Sequence, residues 1–128
     1  MNAIKTGLIA FLLPILSFAS ASAIEADIKA RSLYVPKGFD SNDQVELVLT
    51  GFLPNLCYQA PRAKVERQGN HFQINLKATL LTPSSFCAAV VMPFEISVKL
   101  GNLPAGSYSV ESSGVEKEFA LEVVPAVV

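Results

Sequence analysis

The side chains in this sequence that could do chemistry are few, and they fall in three places. His71 is the single histidine, set just after Gly69-Asn70. An imidazole does acid–base work only with a carboxylate or a nucleophile within hydrogen-bond reach. Across a hairpin turning at Gly69-Asn70, the expected neighbours are Glu66 and Arg67, a polar cluster and not a triad. The expectation is an exposed hairpin histidine with no chemical role. Asp40, Asn42 and Asp43 form one cluster of oxygen donors. Calcium takes several oxygens from one loop, but this run lacks the glycine and the distant bidentate Glu of an EF-hand. An Asx-rich turn is expected, with calcium binding left as the alternative. Ser84 and Ser85 lack the G-x-S-x-G elbow of a serine nucleophile. Cys87 could act as a nucleophile only as a free thiol with a lowered pKa. No catalytic, cofactor-binding or metal-binding residues are assigned, and the chain reads as a protein that is not an enzyme.

Where the chain goes decides how its cysteines are read. Lys5 gives a short positive start, Gly7 to Phe18 is apolar apart from Pro14 and Ser17, and small residues follow from Ala19. Ala21-Ser22-Ala23 fits the narrow pockets of signal peptidase. An apolar run of about a dozen residues is too short for a membrane span, which needs about 20. Residues 1–23 are therefore expected to be a signal peptide cut at or near Ala23, leaving no stable membrane span. The destination is periplasmic or secreted. Residues 24–128 are the length of one domain. In an oxidising compartment Cys57 and Cys87 are expected to form a disulfide. Two free thiols or a metal pair are the alternatives, and a single His with no C-x-x-C gives metal little support.

The formal net charge of −1 leaves no cationic surplus, and Lys and Arg are scattered singly. Nucleic acid needs grouped cations that displace counterions, so it is excluded as a partner. Adsorption to an anionic membrane is equally unsupported.

The elements that would carry these residues are strands. From His71 to Leu81, Phe72, Ile74, Leu76, Ala78 and Leu80 alternate with Gln73, Asn75, Lys77 and Thr79. That is the two-residue period of a half-buried strand. Phe94–Leu100, Lys117–Val123 and Val45–Thr50 repeat it. Ile28–Val35, Ala63–Gln68 and Ser107–Glu111 do so more weakly. Turn residues separate them: Gly51 to Asn55, Gly69-Asn70, Asn102 to Gly106 and Ser112-Ser113-Gly114. About seven short strands with regular turns predict an all-β, antiparallel sandwich in one domain.

The run Leu100-Gly101-x-Leu103-Pro104-Ala105-Gly106-x-Tyr108-x-Val110, followed by a turn and Phe119-x-Leu121, resembles the last two strands of immunoglobulin-like and fibronectin-type domains. That resemblance implies a tyrosine corner, with Tyr108 packed inward and its hydroxyl bonded back to the corner backbone. The wider pattern, Leu53-Pro54-x-x-Cys57-Tyr58 through Cys87 to Pro93-Phe94-Glu95, is similar to small exported bacterial domains of this type. The likeness covers most of residues 44–123. The chain has no Trp, so the Cys–Trp–Cys core of antibody domains is absent. The implied fold is an immunoglobulin-like β-sandwich closed by one disulfide. Such sandwiches host many activities, so the resemblance implies no particular one.

Two apolar stretches remain. Phe86-Cys87-Ala88-Ala89-Val90-Val91-Met92-Pro93 reads first as a core strand and second as a partly exposed loop that contacts a partner through Phe86, Ala88, Ala89, Val90, Val91 and Met92. Val123 to Val128 is either a folded-back tail or a sticky end. The expected work is binding an unidentified protein or cell-envelope component through loops or a strand edge. The alternatives are a secreted hydrolase inhibitor acting through Pro83–Ala88, and a structural subunit of a surface filament or coat. Self-association remains possible within either binding or structural reading.

Overall fold

The computed structural model describes residues 7, 10–16, 22–82 and 87–123. Among them there is no helix, and eight strands follow one another: β1 (Ser22–Ile28), β2 (Ala30–Tyr34), β3 (Gln44–Leu53), β4 (Tyr58–Gln68), β5 (His71–Thr82), β6 (Met92–Asn102), β7 (Gly106–Ser112) and β8 (Val115–Leu121). The chain is all-β, with eight strands in place of the expected seven or so. The extra strand is β1. Its small residues read as the exit of a signal peptide, yet they pair with β5 from Ser22↔Thr82 to Ile28↔Leu76.

Two sheets form. One contains β2-β3-β6, and the other contains β1, β4, β5, β7 and β8 around a central β5. Alternation in β3 sends Val45, Leu47, Leu49 and Leu53 inward, while Phe72, Ile74, Leu76 and Ala78 of β5 come from the opposite sheet. Phe94 and Val98 of β6 with Tyr108 and Val110 of β7 complete the core between the layers. Burying such side chains is the main favourable term, about 1.5–3 kcal/mol for each large one.

β5 explains most of the topology. Its one edge pairs with β4 along nearly its whole length. Its other edge is shared: β1 takes Leu76–Thr82 antiparallel, and β7 takes His71–Gln73 in parallel. The sandwich is thus not purely antiparallel as expected. Because β7 occupies the lower part of that edge, the first strand cannot continue along it. The chain leaves the sheet at Lys29 and joins the other layer as β2 against β3. The crossing is sealed by the Ala30 amide, which donates to Ser113 Oγ in the β7–β8 turn at 3.0 Å.

The turns follow their residue chemistry. Gly69 adopts φ +60° in the two-residue β4–β5 turn, and Ser113 and Gly114 take φ +54° and +82° between β7 and β8. Positive φ at both Ser113 and Gly114 matches a type I′ hairpin, whose twist suits the flanking strands. Gly51 serves a different purpose. A Cβ there would lie 2.6 Å from the Lys29 carbonyl oxygen and 2.6 Å from the Phe94 ring, so only glycine admits both neighbours.

Candidate functional site

The two layers share a disulfide pole and an opposite pole. At the first, Cys57 and Cys87 form a disulfide with Cα atoms 5.5 Å apart. Cys57 immediately precedes β4, and the Leu81 amide donates to its carbonyl at 3.0 Å. The Leu56 amide donates to the Ala88 carbonyl at 3.2 Å, which lays residues 87–91 beside the β3–β4 connection. This segment is not the core strand that its composition first suggests. Residues 87–91 form no strand, β6 begins at Met92, and Val90, Val91 and Met92 are 47%, 59% and 43% exposed. Ala89 is exposed and Ala88 half-buried, while Phe86 lies outside the described residues, as do Ser84 and Ser85.

Further apolar side chains stand beside this loop. Leu53 pairs with Met92 and Phe52 with Pro93, and Phe52 and Leu56 are both exposed. The Arg31 guanidinium lies 5.3 Å from the Phe52 ring centroid, covering one aromatic face with a cation. Phe52, Leu56, Val90, Val91 and Met92 are thus all exposed at the disulfide pole, with Phe52 on the outer face of the β3–β6 pair and Met92 on the face of Leu53. The sequence displayed Val90–Met92 but not Phe52 or Leu56, which fall among turn residues and become neighbours only through β3–β6 pairing.

At the opposite pole, the β5–β7 pairing does something the hairpin could not. His71 Nδ1 lies 2.7 Å from Ser109 Oγ, a residue 38 positions away. The register sets Gln68, His71, Ser109 and Glu118 in one row across four strands. They border a shallow cleft of about 610 Å³ with Tyr108 and Phe119. The expected neighbours are placed elsewhere: Glu66 opposes Gln73, and Arg67 donates from Nε to the Gly69 carbonyl at 2.8 Å while lying over Phe72. The Ser109 amide is committed to the Asn70 carbonyl at 3.0 Å, so it cannot serve as an oxyanion donor beside its own hydroxyl.

Asp40, Asn42 and Asp43 are engaged with their own backbone. The Asn42 amide donates to Asp40 Oδ1 at 2.8 Å, and the Asp40 amide to Asp43 Oδ2 at 2.9 Å. Asn102 Nδ2 reaches the carbonyls of Asn42 and Asp43, both at 3.0 Å. These bonds describe a pinned Asx turn. Among the described residues, no group of three or more His, Cys, Asp or Glu side chains is arranged to hold a metal ion.

Tyr108 is buried, and its hydroxyl donates to the Pro104 carbonyl at 2.5 Å. Its ring stacks on Phe119 at 5.4 Å between centroids. Val123 is exposed, and residues 124–128 lie outside the described set. No described helix is long and apolar enough to cross a membrane.

These features define a β-sandwich domain closed by one disulfide. Residues 47–121 match the family described as the ORF11 beta-sandwich domain, and the chain belongs to that family. The match runs from β3 to the end of β8, so β1 and β2 lie outside it. No curated protein and no solved structure matches the chain significantly.

Proposed function

We propose that this chain is exported, loses residues 1–23, and works in the periplasm or outside the cell as a non-enzymatic binding module. Its partner is a protein or a cell-envelope component. The observation that carries the reading is the disulfide pole, where Phe52, Leu56, Val90, Val91 and Met92 are all exposed near Cys57–Cys87. Exposed apolar clusters with a rigid support are characteristic of docking surfaces. The disulfide supports export, because such bonds persist in oxidising compartments. Tyr108 bonded to Pro104 supports immunoglobulin-like kinship, although the parallel β5–β7 pair departs from a purely antiparallel sandwich. The committed Ser109 amide favours a structural role for the His71–Ser109 bond.

Site-specific photo-crosslinkers placed at Leu56, Val91 and Lys117 in the native envelope test this. A defined adduct from positions 56 and 91, absent from position 117 and lost with Met92→Asp, is the expected result. Adducts of equal yield from all three positions would count against this surface.

A further inference from the structure

The β6 edge carries a separate inference. β6 pairs with β3 on one side, and β4 of the other sheet passes alongside without forming a ladder with it. A long strand with an unpaired edge is a template for another strand, unless charge or proline blocks it. We propose that β6 pairs antiparallel with β6 of a second copy, joining two three-stranded sheets into one of six strands about a two-fold axis.

The charge pattern selects this partner. Pro93, Glu95, Ser97 and Lys99 are the exposed residues on the outer face of β6. Pro93 has no N–H to donate, and a bulge at Leu100 with Gly101 at φ +83° ends the regular ladder at Lys99. Ser97 lies midway between, so a two-fold axis there pairs Glu95–Lys99 and sets each Glu95 opposite Lys99 of the other copy. Neither residue has an ion-pair partner within 4 Å among the described residues. Lys99 already faces Glu46 across β3, so in the dimer it would lie between two carboxylates. On the inner face the same register opposes Ile96 to Val98.

Other arrangements lose this match. Sliding the register by two residues sets Lys99 against Ser97. A slip of one puts inward residues opposite outward ones. Parallel pairing would stack Lys99 on Lys99, so the pattern favours a closed pair over open stacking. The other long edges are less suited. On β8, pairing about Lys117 would oppose Glu116 to Glu118. On β4, Lys64 and Glu66 already approach to 4.0 Å, so their charges are matched within the strand.

Sedimentation velocity on protein purified from cells expressing the full chain tests the proposal through Glu95→Lys and Lys99→Glu. The wild type should form a concentration-dependent dimer that weakens as salt screens the pairs. Each variant alone should associate roughly tenfold more weakly, since it opposes like charges twice. An equimolar mixture should form a heterodimer, because every Glu then meets a Lys. That outcome also shows both variants to be folded. Ser97→Cys should give a disulfide-linked dimer across the axis, whereas Glu116→Cys on β8 should not. A wild type that is monomeric throughout, or a dimer that neither reversal weakens, overturns the proposal. Because the purified chain is measured alone, these results do not depend on the disulfide pole or its partner.

Discussion

Single residues in this domain matter most where they close contacts between layers. Tyr108 fills the core with its ring and satisfies the Pro104 carbonyl with its hydroxyl. Tyr108→Phe should keep the stacking on Phe119 and lose the bond, costing about 1 kcal/mol. Thermal unfolding should record a drop of roughly 4–8 °C for a domain of this size. Gly51→Ala should be worse for its size, because its methyl meets both a ring and a backbone carbonyl. Overpacking of this kind costs about 1–3 kcal/mol, and Phe94→Leu in the same chain should recover only part of it. A fully additive double variant would show that the ring is not the obstruction. By contrast, Lys77 is a half-buried surface residue whose pKa is raised, first by its hydrogen bond to Asp27. A raised lysine pKa adds stability below its ordinary value and loses it as pH climbs through the folded one. Asp27→Asn should therefore lower the melting temperature slightly near neutral pH, and its stability curve should meet that of the wild type on the alkaline limb, where Lys77 loses its charge.

At the scale of elements, β5 was the most legible strand and also hid the most. Its alternation from Phe72 to Leu80 is local and could be read directly. Which strands would flank it could not, because pairing between distant segments leaves no local period. Local sequence therefore offers His71 partners only across the hairpin, whereas Ser109 arrives by parallel pairing from 38 residues away. β1 is hidden for a different reason, since its Ser, Ala and Ile suit a short strand and the end of an apolar leader equally well. Residues 87–91 carried the opposite ambiguity: an apolar run suits a core strand, but the disulfide and the Leu56–Ala88 bond hold it outside. The two-strand origin of the His71–Ser109 contact is measurable. A double-mutant cycle with His71→Ala and Ser109→Ala should give a coupling of about 0.5–1.5 kcal/mol. Single losses that simply add would mean that the bond contributes nothing.

For the whole molecule, one covalent bond joins the segments that make the disulfide pole. Cys57 and Cys87 are 30 residues apart, a loop whose closure is worth about 3–4 kcal/mol in the chain-entropy estimate. That is a large share of the roughly 5–15 kcal/mol that holds a domain folded. Replacing both cysteines with alanine should lower the denaturant midpoint accordingly. Crosslinking from Val91 should fall even under conditions where the β-sheet circular dichroism persists. The all-β sandwich and the disulfide were readable because alternation, turn residues and a single pair of cysteines are all local features of the sequence. The contact surface was half readable. Val90–Met92 stood out as apolar, while Phe52 and Leu56 joined them only through register.

The path of β1 has a mechanical consequence. The chain enters β1 at the disulfide pole, where Ser22 pairs with Thr82, and leaves β8 at the other, where Leu121 pairs with Gly106. Tension applied between Ile24 and Val123 therefore runs along the strands, not across them. Rupture must slide Ile24–Ile28 of β1 past β5, loading several ladder bonds at once in shear before any one opens. A domain strung this way should resist pulling along its length better than its equilibrium stability suggests, since forced unfolding follows the barrier and not the free-energy difference. In single-molecule stretching, attachment at these two points should give a high rupture force. Attachment across the β7–β8 hairpin, which unzips one bond at a time, should give a low one.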